Sequence, residues 1–442
     1  MSTFTLFKFL VKPITKTVAF AQGAVSALWT FPSVLGSAVL IAWAAEAAQF
    51  FISQGLALAI LAWLQTLPEF AVEAVIAWQA GKTVLASPDS QEAAHATALM
   101  TANFTGSLRL LVGLGWPMIY ATASFFKRKG DGNKLDGIEL DDEHSVEVIF
   151  LLVCILYFFI VWWKGTLNLI DSAILTIIYG IYLFFLNKIP PQSEESVEDL
   201  DRVPRYIIAQ KRLTRNLLIT GLFIGGGLIL YFAAHPFLES LKSIALGLGI
   251  STFVFVQWVA PFLSEFPEKV SAFNWARRVS TAPMAVMNMV SSNINQWTML
   301  VAMIPIAYVW ALGQNGTIIF DHHQRVEIIM TIGQSLLGAL LLSNMRFSWW
   351  EALLLFLLWL IQFVLSGFEK PLDPGVEHNA FAVQVGGLLS VSATAIENLA
   401  RIGKETITIL YFVWAGILVL LGLTGRGFSV FKVFPKMIRE HW

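Results

Sequence analysis

The sequence predicts an all-α membrane protein: a polytopic bundle of about ten or eleven transmembrane helices, arranged as two inverted-topology five-helix repeats. Three observations carry this. Hydrophobic residues make up 56% of the 442 residues and charged residues only 13%, about half the charge of a soluble domain. Apolar runs near the roughly 20 residues needed to cross a bilayer recur along the chain. An unusual Pro-Glu element also occurs twice, once in each half.

The elements follow in order. Residues 1–31 carry Lys8, Lys12 and Lys16 and read as an N-terminal amphipathic segment at the interface or as an extra crossing. They lack the compact apolar core of a cleaved signal. The first repeat, 32–187, holds spans at 32–52, 56–79, 96–124, 146–163 and 166–187. A charged cytoplasmic linker, 188–214, divides the chain. The second repeat, 215–368, holds spans at 215–234, 243–273, 283–311, 327–343 and 348–368. Residues 369–442 form a polar segment, one more span at 405–423 and a basic tail. Run lengths of this kind suit helices rather than barrel strands, because lipid-exposed backbone must be paired internally.

Lys and Arg set the orientation. They concentrate in one alternating set of loops, at 127–134, 188–215, 277–278, 346 and 426–439. That set, and with it the C-terminus, is expected to be cytoplasmic. The formal charge of −1 gives no reason to expect a nucleic-acid partner. A single cysteine, Cys154, can form neither an internal disulfide nor a cysteine metal cluster.

The two halves repeat the same chemistry. Residues 63–78 read WLQTLPEFAVEAVIAW and residues 262–276 read FLSEFPEKVSAFNWA. The motifs at 64–73 and 263–272 are followed by small polar clusters at 102–108 and 287–293. With the loops assigned as above, the two Pro-Glu helices run antiparallel, as in the inverted repeats of secondary transporters. An intramembrane carboxylate costs about 2.5–3.5 kcal/mol on insertion scales. Glu69, Glu73, Glu265 and Glu268 would together cost on the order of 10 kcal/mol, so they are expected to face a cavity, a cation or a proton path. Pro68 and Pro267 each remove an N–H and are expected to free carbonyls near Leu64 and Leu263. Carboxylates beside free backbone oxygens suit Ca²⁺ or Na⁺, and Asn103, Ser107, Asn288, Ser292 and Asn293 can add neutral oxygens. A single Pro would be only a kink, and a single Glu could pair with Lys269 or Arg109. Two antiparallel copies argue for an ion site.

At these residues the sequence resembles the cation/Ca²⁺ antiporter superfamily, which includes the sodium/calcium exchangers. Its α-repeats carry Gly-Thr-Ser-x-Pro-Glu in one helix and Gly-Asn-x-x-Gly-Ser-Asn opening the next. Here the elements read Leu64-Gln65-Thr66-Leu67-Pro68-Glu69 and Ala102-Asn103-Phe104-Thr105-Gly106-Ser107-Leu108. Their counterparts read Leu263-Ser264-Glu265-Phe266-Pro267-Glu268 and Met287-Asn288-Met289-Val290-Ser291-Ser292-Asn293. The resemblance implies Glu69 and Glu268 as the central metal ligands, with Thr66, Ser264, Ser107 and Ser292 adding oxygens. The letters depart from the family where Leu111 and Gln296 stand four residues beyond Ser107 and Ser292, in place of its usual Asn or Asp. Fewer neutral oxygens argue against several bound Na⁺, while Glu265 with nearby Lys269 and Arg109 leaves room for proton coupling.

The expected function is therefore secondary antiport of the sodium/calcium exchanger type, moving Ca²⁺ against Na⁺ (or H⁺) by alternating access at a midplane site. Proton-coupled cation antiport, with Glu265 or Glu73 as proton carrier, is the alternative. A non-transporting scaffold or sensor on a degenerate exchanger fold is a further reading. No enzyme is expected, because paired aspartates, HExxH and Ser/Lys patterns are lacking. No cofactor is expected; the bound species are the transported ions, and the partners are inorganic cations and the lipid bilayer. Short loops point to a prokaryotic plasma membrane. The oligomeric state stays open, a monomer included. Asp321-His322-His323 and Glu377-His378 read as solvated loops, Gly225-Gly226-Gly227 as close helix packing or a flexible point, and 376–404 as a surface or re-entrant segment.

Overall fold

The computed structural model describes residues 3–51, 66–188, 200, 202–423 and 427–441. It is an all-α bundle, with nine helical segments among the described residues long and apolar enough to cross a membrane. Leu64, Gln65 and residues 189–199 and 201 of the 188–214 linker lie outside the described residues.

Helix α1 runs unbroken from Thr3 to Ala48. The expected junction at 31/32 is thus continuous helix. At 46 residues it is about 69 Å long, well over the roughly 30 Å hydrocarbon core. Helix α2 is Leu67–Ala86 and α3 is Gln91–Leu110. A π-helical turn at Leu111–Gly115 joins α3 to α4, Trp116–Asp131. Helices α5, Ser145–Lys164, and α6, Leu169–Leu186, close the first half. A short helix α7, Arg202–Ile208, precedes α8, Arg212–Leu248.

The expected span 243–273 is in fact broken twice. Helix α8 continues through Pro236 to Leu248, α9 is Thr252–Ser264, and α10 is Phe266–Arg277. Helix α11, Ala282–Asn295, a second π turn at Gln296–Leu300 and α12, Val301–Leu312, repeat the α3–π–α4 design. Helix α13 is His322–Leu342 and α14 is Trp349–Ser366. Beyond the repeats, 376–404 folds as α15, Ala380–Leu389, and the start of α16, Ala393–Leu423. The last span therefore begins at 393 rather than 405. Helix α17, Val430–His441, ends the chain.

Two short strand pairs fix the relative direction of the halves. Strand β1, Gly137–Glu139, precedes α5 and pairs antiparallel with β4, Arg346–Ser348, which follows α13. Strand β2, Thr166–Leu167, follows α5 and pairs with β3, Ile318–Ile319, which precedes α13. Helix α5 thus runs from the β1/β4 end to the β2/β3 end, and α13 runs back. The halves are inverted, as the Lys and Arg pattern predicts.

Helices α1 and α8 pack along one another. Phe31 meets Phe237 with ring centroids 5.2 Å apart, and a Cβ on Gly226 would lie 3.0 Å from the Ser37 carbonyl oxygen. Close packing is thus the role of Gly226, while Gly225 and Gly227 face open space.

Candidate cation-binding site

The site is built where α2 and α10 begin. Pro68 and Pro267 occupy the first turn of these helices, where a backbone N–H has no intrahelical partner, so Pro is tolerated there. They start helices rather than kink one. The Glu265 N–H bonds the Pro261 carbonyl at 2.9 Å, and Pro267 has no N–H to offer the Leu263 carbonyl four residues before it. The residues just before the two helices, Thr66 (φ −85°, ψ −3°) and Glu265 (φ −92°, ψ 4°), take the same bridge-region conformation, which recurs at functional sites. Because α2 and α10 run antiparallel, their positively polarised N-termini both bear on the middle of the bundle. Glu69 and Glu268 stand in those first turns.

Helices α3 and α11 supply the other walls. A Cβ on Gly106 would sit 1.8 Å from the Gln257 carbonyl oxygen, so glycine allows α3 to approach α9 closely at the level of the site. Each wall ends in a π turn that begins at Leu111 or Gln296. Such turns widen the helix and expose backbone and side chains at functional sites.

Four carboxylates meet here, and all are buried to within 1% exposure. The Gln296 amide Nε2 donates to Glu69 Oε2 at 2.8 Å and to Glu265 Oε1 at 2.9 Å, so one nitrogen bridges the two halves. Ser107 donates its hydroxyl to the same Glu265 oxygen. Glu265 Oε2 is 2.5 Å from Lys269 Nζ. Asn103 Nδ2 donates to Glu73 Oε2 at 2.6 Å. Glu268 lies beside the Ser292 hydroxyl but has no well-formed hydrogen bond on either oxygen among the described residues. Glu69 Oε1, Glu73 Oε1, Asn103 Oδ1, both Asn288 amide atoms and Ser292 Oγ likewise lack partners among them. Buried oxygens without donors are costly. A set of them around carboxylates is the donor chemistry of a hard cation, which takes six to eight oxygens as Ca²⁺.

Not every predicted residue joins this set. Ser264 donates to the Ala260 carbonyl at 3.0 Å. Asn293 Nδ2 donates to the Leu108 carbonyl at 3.3 Å, while its Oδ1 has no hydrogen-bond partner among the described residues and stays with the set. Thr66 Oγ1 accepts from Asn295 Nδ2 at 2.6 Å.

The profile of the sodium/calcium exchanger protein family matches residues 22–188 and 218–368, most of the chain and both halves of the inverted pair. The chain belongs to the sodium/calcium exchanger family. It is a membrane transporter rather than an enzyme. A crystal structure of the H⁺/Ca²⁺ exchanger CAX is similar at 28% identity, covering 95% of this chain and 98% of that one, with a TM-score of 0.70. The sodium-calcium exchanger NCX_Mj shares the fold at 19% identity over 78% of this chain and 98% of that one, TM-score 0.50. So does native YfkE at 14% identity over 80% and 98%, TM-score 0.54. No curated protein matches the chain.

Two features of this exchanger differ from the sequence expectation. Gln296, which reads as a lost ligand in the motif, is the bridge between Glu69 and Glu265; its position one turn beyond Ser292 is the available signal. Arg109 reads as a base beside the site. Arg109 instead binds Glu327 Oε2 at 2.6 Å. Gln257 donates to the same oxygen at 2.8 Å, and Lys404 of α16 binds the other Glu327 oxygen and Glu369 at 2.6 Å. His323 approaches this cluster, so it is no solvated loop residue, and Asp321 caps α13. An intramembrane Arg109 and a lone Glu opening the apolar run at 327–343 are the traces of the network in the sequence.

Proposed function

We propose that the chain is a secondary active antiporter exchanging Ca²⁺ for protons by alternating access. The observation that carries this reading is the set of partnerless buried oxygens around Glu69, Glu73 and Glu268. Ca²⁺ is held between Glu69 and Glu268, with Ser107, Ser292, Asn103 and Asn288 supplying neutral oxygens. The four carboxylates lie inside the bundle, so the ion reaches them only when helices move. The long paired helices α1 and α8, which pack beside the site, are the natural sliding element.

Protons are favoured over Na⁺ by Glu265, a carboxylate in place of a neutral family ligand, and by the likeness to an H⁺/Ca²⁺ exchanger over 95% of the chain. Glu73 is the better proton carrier. It has one free oxygen, whereas both oxygens of Glu265 are engaged by Ser107, Gln296 and Lys269. Sodium coupling is the second reading, favoured by the family profile.

The β1/β4 end carries Arg346, and the basic C-terminal helix folds back onto that end, with Lys436 Nζ 3.9 Å from Asp142. This supports a cytoplasmic C-terminus; the assignment to a prokaryotic plasma membrane rests on the short loops alone.

The test is ⁴⁵Ca²⁺ uptake into proteoliposomes under a pH gradient, a Na⁺ gradient or neither. Uptake driven by the pH gradient and lost in Glu69→Gln is the expected result. Uptake driven only by Na⁺ would establish the second reading, and no uptake under either gradient would remove both.

A further inference from the structure

The two halves differ most at a single turn of helix. Superposing Glu69 on Glu268 pairs Thr66 with Glu265 and Phe70 with Lys269. The first half therefore has a neutral hydroxyl and a ring where the second has a carboxylate and an ammonium one turn apart. Lys269 is 6% exposed and Glu265 1%, with 2.5 Å between Nζ and Oε2. The pair does not stand apart from the transport carboxylates, because Glu265 Oε1 shares the Gln296 amide with Glu69.

We propose that Lys269 is a tethered counter-cation, its ammonium filling at Glu265 the place that a mobile monovalent cation would otherwise take. The inference rests on reading the site as a cation-exchange centre. A buried carboxylate stripped of its partner is strongly unfavourable. In most sites a diffusible ion meets that need and leaves with each cycle. Here the ion is covalently part of α10, so it never leaves. Glu265 is thereby withdrawn from the transported load, and Glu69, Glu73 and Glu268 keep the open oxygens. Each cycle moves one monovalent cation fewer than the same site would without the lysine. The ammonium also offsets repulsion among the clustered carboxylates while no other cation is bound. Arg109 cannot do this, being committed to Glu327.

The experiment removes the tether and looks for a gained ion. Thermal unfolding of the purified full chain is followed at alkaline pH in choline chloride and in NaCl. Lys269→Met is expected to acquire a Na⁺-dependent stabilisation that the parent lacks. Lys269→Arg keeps a tethered cation and should behave as the parent. Glu265→Thr with Lys269→Phe copies the first half, removes the carboxylate as well, and should show no gain. In proteoliposomes, Lys269→Met should move one more monovalent cation per Ca²⁺, read from the reversal potential. A Na⁺ response in Lys269→Met no greater than in the parent would overturn the proposal. So would the same gain in the double variant, or a Lys269→Met chain that stays unfolded in NaCl while the double variant folds. If the parent moves no Ca²⁺, the proposed function fails, and the gain of Na⁺ response still decides the role of Lys269.

Discussion

Two buried clusters of charge meet at α3, which gives Arg109 to one and Asn103 and Ser107 to the other, and they are built on opposite rules. Around Glu327 the charges balance. Arg109 and Lys404 meet Glu327 and Glu369, and Gln257 completes the same Glu327 oxygen. The amides of Gln334 and Gln362 extend the network from α3 to α16. Around Glu69 the charges do not balance. Four carboxylates share one ammonium, and several oxygens have no donor among the described residues. A balanced cluster is a fixed joint, because removing one partner leaves the rest uncompensated. An unbalanced cluster leaves oxygens for a cation or a proton from solution to complete, which is why the proposed ion site is placed there. The contrast also explains how the bundle tolerates Arg109 so close to a cation path: its charge is spent on Glu327.

Substitutions can break this distinction. Glu69→Gln and Glu268→Gln are expected to abolish ⁴⁵Ca²⁺ exchange, the largest effect, while leaving thermal stability in calcium-free buffer equal or higher. A loss of stability without calcium would place these residues in the structural class. Glu327→Gln should do the reverse, lowering unfolding stability by roughly 3–5 kcal/mol, independently of Ca²⁺. This is read by thermal unfolding with and without the ion. Gly106→Ala pushes a methyl group against the Gln257 carbonyl. It should cost about 1–3 kcal/mol and weaken Ca²⁺ affinity, since it separates α3 from α9 between the two clusters.

Glu73→Gln should retain Ca²⁺ binding but flatten the pH dependence of uptake. The sign follows from protonation: as pH falls, protons compete for the carboxylates and Ca²⁺ binding weakens, and removing the carrier removes that competition. An unchanged pH profile would exclude Glu73 as carrier. The exposed pair Arg401–Glu405, 3.4 Å apart, sets the lower limit. Arg401→Ala should change stability by less than about 0.5 kcal/mol.

The sequence by itself determined the class, the inversion and the central carboxylates. Twenty-residue apolar runs have few homes besides a bilayer, loop Lys and Arg report direction, and a Pro-Glu pair in an apolar run is too costly to occur twice without use. Those signals are local, so they survive without coordinates. Tertiary structure alone decided who meets whom. It set Gln296 between Glu69 and Glu265, turned Ser264 and Asn293 onto backbone carbonyls, and sent Arg109 to Glu327. It also showed that Pro68 and Pro267 open helices instead of kinking one. The Gln296–Glu69, Asn293–Leu108 and Arg109–Glu327 contacts join residues 185 or more positions apart, and Ser264 and the two prolines are settled at a helix boundary; periodicity within one segment carries no information about either. Whether a buried charge is balanced is a property of the neighbours it finds in the folded bundle, and so is its role.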